Sequence, residues 1–200
     1  MGLTSTTHAR KTYLSIVDGK WAKRVEKGTP EATTRKNKNN EEVHELLYTG
    51  ISGKITEMKV SQVTFGDGKK TKQLEILMDD VGDKFILTIP IESKYFDNFC
   101  AKIGSANKTE TLEIVPYSFI PKGEKTKKSG INIYQGFENG KPKKLGYYFT
   151  KEAPNGKPFP AEERLGEDEY KIFKMQELKF YCEYISKLSE NIEVQKETKP

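Results

Sequence analysis

A single short helical stretch, set among runs of β-prone sequence, constrains this chain most. Between Ser93 and Gly104, Phe96, Phe99, Cys100 and Ile103 recur at three- and four-residue steps, the spacing of one helix face. Ser93 is suited to cap the start and Gly104 to stop the end. Everything before this helix reads as extended. Lys11 to Val17 and Lys20 to Val25 flank Asp18-Gly19, a pair that tolerates the positive φ a tight hairpin demands. Glu45 to Thr64 is one long strand, bent where Gly50 and Gly53 interrupt it. Phe65 to Thr71 is a turn rich in Gly and Lys; Gln73 to Met78 and Lys84 to Ile91 then alternate around a turn at Asp79 to Asp83. After the helix come Thr111 to Ile120, whose Pro116 implies an edge or a bulge, then Ile131 to Phe137, an Asn139-Gly140 turn, and a last strand at Leu145 to Thr150.

Setting aside the hairpin before them and the last strand after them, the order is three strands, a helix and two strands. That order matches the OB-fold, a five-stranded Greek-key barrel. The expected architecture is mainly β: an OB barrel with its hairpin over residues 13–150, one short inserted helix and a C-terminal helix. Residues 1–12 are expected to be disordered, and 26–42 to be a long, basic, polar loop without apolar period. Residues 151–166, with Pro154, Pro158 and Pro160, form a linker. Over 167–193, Leu178, Tyr181, Ile185, Leu188 and Ile192 make an amphipathic helix that docks on the barrel, followed by a tail at 194–200.

Composition narrows the functional classes. Only 34% of residues are hydrophobic, so the core is modest. No apolar run approaches the roughly 20 residues that span a bilayer, and the first twenty residues lack the apolar centre of a secretion signal. The expectation is a cytoplasmic protein (in the host cytoplasm, for a viral one) with no membrane contact. Cys100 and Cys182 stand alone, without the spacing of a disulfide framework or a zinc site. His8 and His44 have no nucleophile motif beside them, which leaves a hydrolase triad without support. Asp79, Asp80 and Asp83 could hold magnesium for a nuclease, but Gly82 explains them as a turn. The expectation is no enzyme, no cofactor and no metal.

Charge is the positive signal. Residues 1–40 carry nine Lys/Arg against three Asp/Glu, a net +6, and residues 120–151 carry eight against two, again +6. The stretch between them is −4 and residues 160–200 are −3. Lysines and arginines that converge on phosphates release condensed counterions, so paired basic blocks suit a polyanion. Single-stranded nucleic acid adds stackable base faces, which exposed aromatics satisfy without reading sequence. Strand parity selects the rings: Tyr134 points away from Ile131 and Ile133, Tyr117 away from Leu112 and Ile114, and Tyr48 shares a parity with Lys54. Trp21 stands among Lys20, Lys23 and Arg24. The phosphate-contacting set adds Arg35 and Lys36 from the first block, Lys69, Lys70 and Lys72 from the Gly/Lys turn, and Lys122, Lys125, Lys127 and Lys128 from the second basic loop. For each ring the alternative is a place in the core.

Residues Tyr13–Val25 and Val43–Ile55, with the strand layout that follows to about residue 150, resemble the single-stranded DNA-binding proteins of tailed bacteriophages. The resemblance implies an OB-fold that coats displaced strands during DNA replication and recombination, by stacking and charge and without catalysis. It also implies replication proteins as partners, recruited in many such proteins by an acidic tail; here the tail from Glu190 to Pro200 is nearly neutral. The oligomeric state stays open. The alternative is a non-catalytic structural or interaction module, such as a virion or assembly component, built on the same barrel.

Overall fold

The computed structural model of the protein describes residues 11–37, 39–64, 68, 70–149 and 166–197, with side chains to Ile192. Its elements, in chain order, are β1 (Thr12–Val17), β2 (Lys20–Val25), β3 (Thr33–Lys36), β4 (Glu42–Tyr48), β5 (Ile51–Thr64), β6 (Lys70–Asp80), β7 (Asp83–Pro90), α1 (Lys94–Ile103), β8 (Leu112–Phe119), β9 (Lys128–Glu138), β10 (Lys141–Lys144) and α2 (Glu167–Glu197).

The ten strands form one sheet in the order β10-β9-β8-β5-β6-β7-β1-β2-β4-β3. This corrects the expected five-stranded barrel: the hairpin and three further strands, β3, β4 and β10, join the sheet, which curls into half a barrel. All pairs are antiparallel except β1 with β7. Within it, β8-β5-β6-β7 is a Greek key, three consecutive strands with a fourth returning beside the first. The hinge of the curl is β5. Its start pairs with β8, most of its length pairs with β6, and a bulge between Ile55 and Glu57 bends it, as an extra residue on one strand must.

Local chemistry explains the elements. Asp18 and Gly19 take φ of 47° and 77°, turning β1 into β2. Gly19 also lies against the backbone of Tyr117 and Ser118, where a Cβ would collide, so the hairpin tip folds back onto β8. In α1, the Ser93 hydroxyl accepts the Phe96 N–H at 3.3 Å, and Phe96, Phe99, Cys100 and Ile103 are fully buried. Each such aromatic or aliphatic burial stabilises by about 1.5–3 kcal/mol. Helix α2 lays Tyr181, Ile185, Leu188 and Ile192 into the same core, across β5. Lys174 ties it to α1 by reaching Asp97 at 3.0 Å.

Three boundaries differ from expectation. The 26–42 loop contains β3, whose Thr33 to Lys36 pair with Glu45 to Glu42 of β4. The single strand Glu45 to Thr64 is two, because the chain turns a corner at Thr49-Gly50 and β4 joins β2 while β5 joins β6 and β8. Leu145 to Phe149 is not a strand. After β10 the chain crosses α1, with the Tyr148 N–H donating to Ala101 O at 2.7 Å and the Phe149 ring packed on Phe180 and Tyr184. Pro116 sits past the last β5 partner of β8, where only β9 pairs alongside, which suits a residue lacking an N–H. The expected disordered terminus (except Lys11 and Thr12 of residues 1–12) and linker (except Gly166) lie outside the described residues.

Candidate nucleic-acid interface

The outward side of β8 and β9 carries one row of candidate residues. Across these strands Tyr117 faces Gly130, Phe119 faces Lys128, and Glu113 faces Tyr134, which in turn pairs with Lys144 of β10. The Tyr117 and Phe119 rings lie 5.9 Å apart and tilted by 41°; Phe119 is 52% exposed, while Tyr117 and Tyr134 are half-buried. Gly130 makes room for this row, since a Cβ there would come within 2.6 Å of the Tyr117 hydroxyl. Burial, followed by the neighbouring hydroxyls of Tyr147 and Tyr95, raises the Tyr117 phenol above its usual range, so it stays a neutral donor.

Lysines surround the row. Between residues 120 and 149 there are seven, against two glutamates. Lys127 bonds Asp18 at 2.8 Å, joining the second basic loop to the β1–β2 turn; that bond lowers the Asp18 carboxyl and raises the Lys127 ammonium. Lys128 bonds Glu124 at 2.8 Å. Lys122, Lys125, Lys141 and Lys144 are exposed and make no ion pair with another described residue. Behind them lies Lys102, 4% exposed, donating to Ile131 O at 2.6 Å and to Asn98 Oδ1 at 2.8 Å, with the Tyr147 ring centroid 5.1 Å away. Asn98 also accepts the Ile131 N–H, so α1 satisfies β9 where no strand pairs on that side. Burial, with Lys144 nearby, pushes the Lys102 ammonium down to about 8.

A second group lies elsewhere. Lys23 and Tyr48 line a cleft of about 440 Å³ with Leu14, Ile51, Phe85, Asp80 and Asp83. Apart from Lys20, whose neighbour Gly19 abuts Tyr117 and Ser118 of the first group, the remaining candidates join neither. Trp21 is a correction: it is 0% exposed and its indole N–H donates to Ile114 O at 2.9 Å, so its ring is a core element with no face for a base. Arg35 clamps the buried Glu45 with two bonds of 2.7 Å, and Arg24 lies across the strand from that same glutamate. Lys36 ends the outermost strand β3, Lys54 pairs opposite Asp79, and Lys20 is exposed at the hairpin. Lys70 and Lys72 begin β6, at the end away from Asp80 and the cleft; at about 3.3 Å per residue they lie about 33 Å and about 26 Å along the strand from Asp80. Lys69 falls outside the described residues.

Sequence reasoning passed over Phe119, Lys141, Lys143 and Lys144. Phe119 has the parity of Tyr117, so that signal was present. The β10 lysines follow directly on the Asn139-Gly140 turn, but Lys-Pro-Lys-Lys has no apolar alternation to mark a strand. Asp79 acts as a turn residue, its Oδ1 accepting the Gly82 N–H at 3.4 Å. Among the described residues no helix is long and apolar enough to cross a membrane. No protein-family model, no curated protein and no solved structure matches this chain.

Proposed function

We propose that the protein binds single-stranded DNA with little base preference and without catalysis, in phage-type replication or recombination. The bases stack on Tyr134, Tyr117 and Phe119, and the phosphates lie along Lys122, Lys125, Lys141 and Lys144. The observation that carries this reading is the outward β8–β9–β10 surface, where the exposed Phe119 and the half-buried Tyr117 and Tyr134 lie beside lysines, four of which pair with no described carboxylate. A ring stacked on a base contributes about 1–3 kcal/mol, and each phosphate contact adds a salt-sensitive increment. The Greek key with α1 between β7 and β8 supports a finer structural reading: an OB-type core of β5, β6, β7, β8 and β9, widened by the hairpin, β3, β4 and β10.

Fluorescence anisotropy with end-labelled oligothymidylate tests this directly. Four lysines free to meet phosphates predict log K falling against log salt with a slope of about −3, at roughly −0.7 per contact on single strands. Absence of binding at low ionic strength, together with a stable oligomer of the free protein, would replace this reading with that of a structural module.

A further inference from the structure

The curl of the sheet leaves a cleft between the β1–β2 hairpin, the start of β5 and the β6–β7 turn, and its lining is chemically mixed. Leu14 and Ile51, 1% and 7% exposed, give it an apolar base. Tyr48, 38% exposed, and the half-buried Phe85 add two rings. Lys23, Asp80 and Asp83 also line it, and none of the three makes an ion pair with another described residue. Charges of both signs thus border one cavity without neutralising each other, an arrangement that leaves each free for a ligand carrying both an anion and N–H donors. The volume, about 440 Å³, falls within the roughly 300–1,000 Å³ of clefts that enclose small molecules.

We propose that this cleft is a binding site for one nucleotide whose base bears an exocyclic amino group. The base stacks on Tyr48, the phosphate meets Lys23, and a carboxylate of Asp80 or Asp83 accepts the amino N–H. A carboxylate takes a hydrogen bond from the cytosine amino group, whereas thymine offers a carbonyl oxygen at that ring position and is repelled. The site therefore adds base discrimination to a protein whose outward sheet face has none. The proposal rests on the single-strand reading for its biological ligand, though not for its chemistry.

Calorimetric titration of the full chain with dCMP and with dTMP at low salt tests it. The expected result is dCMP binding at least about fivefold tighter than dTMP, near the lower end of what a matched base contact gives because Asp80 and Asp83 are exposed. Tyr48→Leu, which keeps apolar bulk but removes the ring, is expected to weaken dCMP by about tenfold. Asp80→Asn with Asp83→Asn, both at exposed positions, is expected to bring the two nucleotides within twofold of each other. Equal affinities in the unaltered protein, no detectable mononucleotide binding, or a preference that survives the double substitution would each overturn the site. Oligothymidylate measured beside them separates the two readings. Polymer binding without the dCMP preference removes the cleft alone, and a dCMP preference without polymer binding removes the single-strand function alone.

Discussion

The two basic blocks of this protein carry the same net charge, +6 each, and the fold uses them in opposite ways. In the N-terminal block the charge is partly consumed by the sheet itself. Arg35 holds Glu45, Arg24 lies opposite that same carboxylate, and of the block's two large rings Trp21 is sealed in the core while Tyr13, on β1, is exposed. In the block from residue 120 onward, four lysines have no described partner, and the adjoining rings of Tyr117, Phe119 and Tyr134 stay at the surface. Equal charge therefore does not make equal interfaces: Lys11, Lys20, Lys23, Lys27 and Lys36 also make no ion pair with a described residue, so what counts is whether the cations share one surface with a row of rings. The two blocks sit at opposite ends of the sheet, with β2, β4 and β3 at one and β9 and β10 at the other, and each inner strand buries one side: Trp21 and Ala22 on β2, Ile131 and Ile133 on β9.

The sharpest way to break this contrast is to truncate one aromatic from each block. Trp21→Ala removes a fully buried indole and its bond to Ile114 O, and is expected to cost about 3–5 kcal/mol in denaturant unfolding. Tyr134→Ala removes a half-buried ring and is expected to cost under about 1.5 kcal/mol of stability while weakening oligothymidylate by about 1–3 kcal/mol. If the two variants exchanged these phenotypes, the assignment of core and platform would be wrong.

A smaller effect concerns Lys102, the cation behind the outer wing. In the unfolded chain its ammonium titrates near 10.5, and in the fold it titrates at about 8. Between those values the unfolded chain binds the extra proton, so stability rises with pH across roughly 8 to 10.5 and the cost of the buried charge is fully present below 8. The gain is on the order of 1 kcal/mol, less than burial alone would give, because Ile131 O and Asn98 Oδ1 both accept from the ammonium and stabilise its charged form. Unfolding followed between pH 7.5 and 10 is expected to show that rise in the native protein and a flatter profile in Lys102→Met. A native profile that falls over this window would contradict the environment drawn for the side chain.

These contrasts also mark what the sequence made legible. Helix α1 was readable in full, because Ser93 and the Phe96, Phe99, Cys100, Ile103 spacing are local signals that the tertiary structure then reinforces. The hairpin was readable for the same reason, through Asp18-Gly19. Strands β3 and β10 were not. Thr-Thr-Arg-Lys and Lys-Pro-Lys-Lys pair on one edge only and bury almost nothing, so no apolar alternation records them. Trp21 was misplaced because its burial is non-local: the partner of its indole lies 93 residues away on β8, brought there by the curl. In the candidate interface, parity alone set Tyr117 and Tyr134 opposite their buried neighbours, and the register pairs Tyr117 with Gly130 and Tyr134 with Glu113. The neutralisation of Arg35 by Glu45 needed β3 and β4 to be paired, and β3 itself carried no signal.

Charge reversal at matched sites puts the difference between the blocks to its most direct test. Anisotropy titrations of oligothymidylate across a salt series would compare Lys122→Glu with Lys125→Glu, in the second block, against Lys27→Glu with Lys36→Glu, both exposed and in no ion pair with a described residue, in the first. The account predicts that the second-block pair weakens binding at least about tenfold and flattens the salt slope by about 1.4, the share of two phosphate contacts. It predicts a change of less than about threefold for the first-block pair, with the slope unaltered. Equal losses from both pairs, or a loss confined to the first, would contradict it.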